Sequence, residues 1–297
     1  MNFTSQAAGE TYSLVCAVVW AVAIILFRKS GESFPPVALN LFKNIVALAL
    51  FLVTLPILGV PLFPADVTTA DWLILALSGV LGLGVADSLF FASLNRIGAG
   101  NTAIVDSLYS PFIVLIAWLG LGEHIGLPIA GAVALMVVAI LVGTWEPGSK
   151  APKRGTVGGI AMGVVAILLM AAGLVMMKPV LSHANAWWVT TVRLVAGTLF
   201  IAVQAALPKY HAQVARCLRP GPHWKVALPA AVVGTYIAMI IWILGLKYTL
   251  ASRAGVLNQM SSIFVILLAA VFLKEKITAR RGAAVVLAIG GAVLATR

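Results

Sequence analysis

The sequence predicts an all-α integral membrane protein of ten transmembrane helices, arranged as two inverted five-helix repeats around a central cavity. Two observations lead there. Of 297 residues, 62% are hydrophobic and 10% charged, with a mean hydropathy of +1.07, far above soluble domains. In addition, the chain repeats itself: at a shift of 152 residues SLYSPFIVLIAWLGLGEHI meets QMSSIFVILLAAVFLKEKI.

A spanning helix needs roughly 20 mostly apolar residues. Windows of that kind, bounded by charges, prolines and turn residues, fall at 11–28, 36–56, 71–94, 99–120, 127–145, 156–177, 186–207, 224–246, 252–273 and 280–296. The first ends on Arg28 and Lys29 and lacks the basic leader and cleavage pattern of a signal peptide, so it reads as a permanent span. The second follows Pro35 and Pro36 and sets Asn40, Lys43, Asn44 and Ala47 on one face. The third opens near Trp72 and contains Asp87.

The fourth span bears a stripe of Ala99, Ala103, Asp106, Ser110 and Ala117, with Pro111 expected to kink it and deprive the Ser107 carbonyl of its helical partner. Glu123 precedes the fifth span and reads as a cap for it. A basic linker at 148–155 separates a first repeat, 1–147, from a second, 156–297. In the second repeat Arg193 answers Lys43 at an offset of 150, and Ala251, Gly255, Asn258, Ser262 and Ala269 answer the stripe of the fourth span. Pro208 to His223 reads as the one sizeable loop, and Glu275 matches Glu123. The fifth and tenth spans, rich in Gly and Ala, read as close-packing scaffold or dimer helices.

Five crossings per copy force the second copy into the membrane upside down, and inverted repeats place a binding site near the midplane at their interface. Fourteen Lys and Arg residues fall in connections on one side and four on the other, the four being Lys178, Lys247, Arg253 and Arg297. The basic side should be cytoplasmic, which places both termini outside. The formal charge of +11 is thereby explained without nucleic acid. Cys16 and Cys217 are too few and too far apart for a disulfide framework or metal cage.

Lys43, Asp87, Asp106 and Arg193 are the ionisable residues deep within spans, each costing about 2.5–3.5 kcal/mol at a helix centre. Lys43 and Arg193, with Asn40, Asn44, Tyr109, Asn258 and Ser262, are the candidate substrate-binding set; Asp87 and Asp106 are the candidate proton carriers. Asp87 meets Met239 in the second repeat, a mark of a specific role or a private salt bridge. Trp20, Phe90, Phe91, Tyr109, Tyr236 and Trp242 are candidate cavity aromatics.

The ten spans, together with SPFIVLIAWLGLGEHIG and its echo SIFVILLAAVFLKEKITARRG, resemble EamA-type members of the drug/metabolite transporter superfamily over nearly the whole chain. The resemblance implies a central cavity between two five-helix repeats and secondary transport of small metabolites or drugs, often export. The sequence departs from the family's pattern at Ile263, which replaces the proline matching Pro111, and in its first span, where the acid of small multidrug members is missing and Glu10 lies at the edge.

The expected function is proton-coupled export of a small zwitterionic or anionic metabolite such as an amino acid, by alternating access, in a bacterial-type inner membrane. A lipid or lipid-linked sugar flippase is the alternative, and a solute channel a further one. A homodimer is compatible with the scaffold helices, and no cofactor, metal or catalytic residue is expected. His124, His183, His211 and His223 lie at span ends or in loops, and neither HExxH nor GxSxG occurs, which argues against an intramembrane enzyme.

Overall fold

The computed structural model describes residues 3–144, 156–272 and 279–296, and every regular element among them is helical. Six helices are long and apolar enough to cross a membrane: Ser5–Ser30, Pro36–Ile57, Thr69–Ile97, Val157–His183, Ala186–Ala206 and Trp224–Tyr248. Shorter apolar helices run Tyr109–Leu121, Leu127–Val142 and Gly282–Ala295. The linker at 148–155 and Glu275 lie outside the described residues.

Local chemistry sets the helix ends. Helix α1 (Phe3–Ser30) closes on Arg28 and Lys29, cations at the negative end of its dipole. Helix α2 (Pro36–Ile57) begins on proline, where a missing N–H leaves nothing unpaired. Helix α3 (Thr69–Gly79) opens with a reciprocal cap: Asp71 N donates to Thr68 Oγ1 at 3.2 Å and Thr68 N to Asp71 Oδ2 at 2.8 Å. It continues through a π-helical segment, Val80–Ala86, into α4 (Asp87–Asp106). Helices α5 (Tyr109–Leu121) and α6 (Leu127–Thr144) follow, α5 ending at Gly122 with φ +65°.

In the second repeat α7 (Thr156–His183) leads to α8 (Ala186–Ala206), whose first turn is capped by Asn185 accepting from Trp187 N at 2.9 Å. The segment expected as a loop instead forms an amphipathic helix, α9 (Pro208–Leu218). Val214 and Cys217 are buried, while Lys209, His211 and Arg216 stay exposed; too short to span, α9 escaped a search for 20-residue windows. Helix α10 (Trp224–Ala230) runs through a second π segment, Ala231–Ala238, into α11 (Met239–Tyr248). Helices α12 (Ala251–Asn258), α13 (Met260–Phe272) and α14 (Ala279–Ala295) complete the chain.

Helical hydrogen bonding continues along α4, yet the chain reverses within it. A Cβ placed on Gly163 would lie 2.7 Å from Ser93 Oγ and 3.0 Å from Val105 Cγ1, whereas residues twelve apart on a straight helix are separated by about 18 Å. That reversal divides the third expected span from the fourth.

Each repeat's first helix packs into the other repeat: α1 against α11 and the second π segment, α7 against α4 and the first. The seams mirror one another with side chains exchanged. Ser13 Oγ fills the space beside Gly245, and Ser93 Oγ the space beside Gly163, at 2.6 and 2.7 Å from where a Cβ would stand. Ser13 and Gly163 are equivalent positions, as are Ser93 and Gly245, so the same seam is filled once from each side. Helices α2 and α8 pass antiparallel, as inverted copies require: Phe51, late in α2, meets Trp187 at the start of α8 with ring centroids 5.7 Å apart. Leu41, early in α2, shares a core with Ile201 and Ala205, late in α8. Helices α6 and α14 pack on each other, Gly131 against Leu294 and Gly291 against the Ala132 carbonyl.

The tightest seam holds the site. A Cβ on Gly79 would stand 2.2 Å from the carbonyl oxygen of Arg193 and 2.8 Å from its Cα, and backbone cannot step aside as a side-chain tip can. Gly79→Ala is therefore expected to lower stability by at least ~1–3 kcal/mol and displace Arg193. Gly120→Ala, with open space around the added methyl, should be silent in the same detergent unfolding assay.

Candidate functional site

Two interruptions, each present in both repeats, create the site. The π segments lie at equivalent positions around Gly82 and Gly234. Wide helical turns loosen the regular ladder and are frequent at functional positions. Asn40, fully buried, donates to the carbonyls of Leu83 at 3.1 Å and Gly84 at 3.3 Å and to Ser88 Oγ at 3.0 Å, satisfying the first π segment. The second interruption follows Asp106 and its mirror Asn258: α4 ends at one and α12 at the other. Pro111 does not cause it, because the break recurs where Ile263 replaces the proline. Pro111 sits in the first turn of α5, where its absent N–H costs nothing, so the expected kink is a break three residues earlier.

Between these interruptions lies a cavity of about 170 Å³, and its lining obeys the repeat. Lys43 faces it with Arg193, Asp87 with Met239, Phe90 with Trp242, Asp106 with Asn258 and Tyr109 with Ser261. Trp20 and Ile24 of α1 pair likewise with Met170 and Leu174 of α7.

The two cations have unlike partners. Lys43 Nζ donates to Asp87 Oδ2 at 2.7 Å and to Asn44 Oδ1 at 3.0 Å, a buried ion pair that neutralises both charges. In the second repeat Met239 replaces the acid, and Arg193 has no carboxylate at ion-pair distance among the described residues. Arg193 is 3% exposed; its Nε donates to Ser78 Oγ at 2.8 Å, and Ser78 in turn donates to the Gly173 carbonyl. Its Nη1 finds no hydrogen-bond partner among the described residues. An unpaired buried donor costs about 1–3 kcal/mol, more when charged, so this group stands ready for an anionic acceptor.

Acceptors also line the cavity. Gln259 Nε2 donates to the Asp106 carbonyl at 3.0 Å and stands 3.5 Å from its Oδ2, leaving most of that carboxylate's capacity unused. Asn258 Oδ1 has no partner among the described residues. Tyr109 lies within Coulombic reach of both Asp106 and Arg193.

Of the sequence-derived candidates, Lys43, Arg193, Tyr109, Asn258, Asp87 and Asp106 line the cavity. Asn40, Asn44 and Ser262 do not: Asn40 serves the π turn and Asn44 receives Lys43. Among the aromatics, Tyr236 is the exception, its hydroxyl lying 2.6 Å from Thr54 Oγ1 and away from the lining. Ser78 and Gln259 were missed; a serine or glutamine in an apolar helix carries no spacing that would single it out.

Three end-of-span residues also differ from their sequence reading. Glu123 caps a helix, but that of the opposite repeat: it accepts from Ala251 N at 2.8 Å, Ser252 N at 3.0 Å and Ser252 Oγ at 2.6 Å. Lys178 lies inside α7, donating to the carbonyls of Leu246 and Thr249, and Lys247 donates to the Ala184 carbonyl at 2.7 Å. Long apolar stems let both cations cap neighbouring helix ends, so neither lies in a free loop.

Comparison with known proteins agrees with this architecture. A solved crystal structure superposes with a TM-score of 0.79 at 17% identity, covering 99% of this chain and 97% of that one, a likeness of fold. An uncharacterized transporter of Archaeoglobus fulgidus is 22% identical over 272 residues, 90% of each chain. The EamA-like transporter family model matches residues 7–145 and 157–297, one segment for each copy of the repeat. The chain is a member of the EamA-like transporter family, a multi-pass membrane transporter.

Proposed function

We propose that this transporter moves a small zwitterionic or anionic metabolite, such as an amino acid, by alternating access coupled to protons, in the export direction across a bacterial-type inner membrane. The reading counts ten spans, completing the six long apolar helices with shorter, interrupted ones, and takes 1–147 and 156–297 as the inverted units. The observation that supports it best is Arg193, a buried cation with no carboxylate at ion-pair distance among the described residues, facing a cavity that also presents Asp106 and Asn258 as acceptors.

Charge arithmetic links substrate to proton. Lys43 and Asp87 cancel, so the cavity's charge depends on Arg193 and Asp106. A zwitterion laid between them places its carboxylate on Arg193 and its ammonium on Asp106, in competition with a proton there; that competition is antiport. A monoanion offers nothing to Asp106 and is held in a neutral cavity only when Asp106 is protonated; that is symport. Volume favours a small solute: about 170 Å³ lies below the ~300 Å³ at which drug-sized pockets begin. A lipid or lipid-linked sugar fits this cavity poorly.

Reconstitution into liposomes with amino acids, organic anions and lipophilic cations, with and without a pH gradient, tests the reading. Zwitterion flux driven by an opposing proton gradient is expected, and Asp106→Asn should abolish that driving while slowing substrate exchange far less, since Arg193 still holds the carboxylate. Asp106→Asn with unaltered proton coupling would remove Asp106 from the mechanism.

A further inference from the structure

The ends of α1 and α7 are equivalent at an offset of 150 residues, and the starts of α3 and α10 at 152, so the repeat produces two matching corners. In one of them His183 meets Asp71, Nε2 lying 3.4 Å from Oδ2, and the same carboxylate caps α3 through Thr68. In the other the matching residues are Ser33 and His223, and both line a cavity of about 500 Å³. The second repeat has no acid to place there, because neither Asp nor Glu occurs between Glu146 and Glu275.

Three segments build this second corner. Lys29, Glu32 and Ser33 come from the end of α1 and the turn after it, Arg216 from α9, and His223 and Val226 from the start of α10. The imidazole is fixed, its Nε2 donating to the Cys217 carbonyl at 3.1 Å and its ring lying edge-on to Phe34 with centroids 5.1 Å apart. Lys29 and Arg216 are exposed and make no hydrogen bond or ion pair with the described residues. Glu32 likewise has no ion-pair contact among them, so two cations face the cavity against one acid. The volume falls within the ~300–1,000 Å³ of ligand pockets, and no residue lines both this cavity and the transport cavity.

We propose that this corner binds the phosphate of an anionic phospholipid, with Lys29 and Arg216 as its charged ligands. Its location favours a lipid over a soluble anion. Helix α9 joins the ends of two spans, with Val214 and Cys217 turned into the core and Lys209, His211 and Arg216 exposed, the arrangement of a helix lying in the membrane interface. Trp224 anchors its far end, Nε1 donating to the Cys217 carbonyl at 3.1 Å. Steps of seven residues put Val15 and Val22, 45% and 38% exposed, on the face of α1 that carries Lys29. A phosphate held at Lys29 therefore leaves its acyl chains along an apolar stripe, while the cations satisfy the head group by charge-assisted hydrogen bonds. Because Lys29 belongs to the first repeat and Arg216 to the second, the bound phosphate ties the two repeats together at this face.

The full chain in neutral detergent is titrated with dioleoyl phosphatidylglycerol, with phosphatidylcholine of the same chains and with glycerol 3-phosphate, and complexes are counted by native mass spectrometry. One phosphatidylglycerol per chain should be held at least roughly tenfold more tightly than phosphatidylcholine, and Lys29→Gln combined with Arg216→Gln should remove most of that preference. Lys209→Gln combined with Lys225→Gln takes the same charge from exposed residues outside the cavity and should cost several-fold less. Glu32→Gln should tighten binding, a gain that misfolding cannot produce. Equal losses in the two double variants reduce the effect to diffuse surface charge and overturn the site, as does a cavity variant that loses nothing. Glycerol 3-phosphate bound as tightly as phosphatidylglycerol overturns the lipid assignment in favour of a soluble phosphate ester. The carrier reading rests on other residues and stands or falls separately.

Discussion

Arg193→Met is expected to weaken substrate binding by roughly 10- to 150-fold, the equivalent of one charge-assisted hydrogen bond at about 1.5–3 kcal/mol, without lowering stability. The reason is the environment the guanidinium occupies: 3% exposed, tied by Nε to Ser78, with Nη1 unpartnered and no carboxylate within ion-pair distance among the described residues. Such a group costs the fold and rewards a ligand. Methionine removes the cost and the reward together, so the midpoint of unfolding in mixed micelles should stay level or rise while Kd for a carboxylate substrate rises. Arg193→Lys should fall between, because a lysine keeps the charge but has neither the fork nor the Nε donor that Ser78 orients. Loss of binding accompanied by a large loss of stability would return Arg193 to a structural role.

How much of this was legible in the sequence depends on what makes each feature periodic. Apolar length and the 152-residue echo revealed the spans, since both are properties of side chains in order along the chain. The paired cations Lys43 and Arg193 and the acids Asp87 and Asp106 stood out because charge within hydrocarbon is costly enough to notice one residue at a time. All four do line the cavity. Backbone events were not legible. The π turns at Val80–Ala86 and Ala231–Ala238 and the breaks after Asp106 and Asn258 depend on tertiary partners such as Asn40, and no residue type announces them. Pro111 marks the fourth span as interrupted by its residue type alone, yet the same break recurs before Ile263, so it does not depend on the proline. Lys178 and Lys247 were misplaced for a related reason, since hydropathy windows stop at a charge, whereas a lysine stem continues the helix and turns its ammonium onto a neighbour's carbonyls.

The mirror-image cation should behave in the opposite way. Lys43 Nζ lies 2.7 Å from Asp87 Oδ2, with side-chain exposures of 5% and 16%, so removing either partner strands the other's charge in the protein interior. Lys43→Met and Asp87→Leu should each cost roughly 3–5 kcal/mol, the typical penalty for breaking a buried pair from one side. The double variant should recover most of that loss, because two apolar side chains of similar volume replace a pair whose desolvation offset much of its attraction. The second repeat already contains half of this experiment, with Met239 standing where Asp87 stands in the first. The cycle also divides the two acids by function. If the double variant is stable and still driven by a proton gradient, Asp87 is a structural counter-ion and Asp106, with its carboxylate largely free of partners, is the remaining proton carrier. If it is stable but transports without regard to pH, Asp87 carries the proton, and Lys43 is the group that releases it when the substrate arrives.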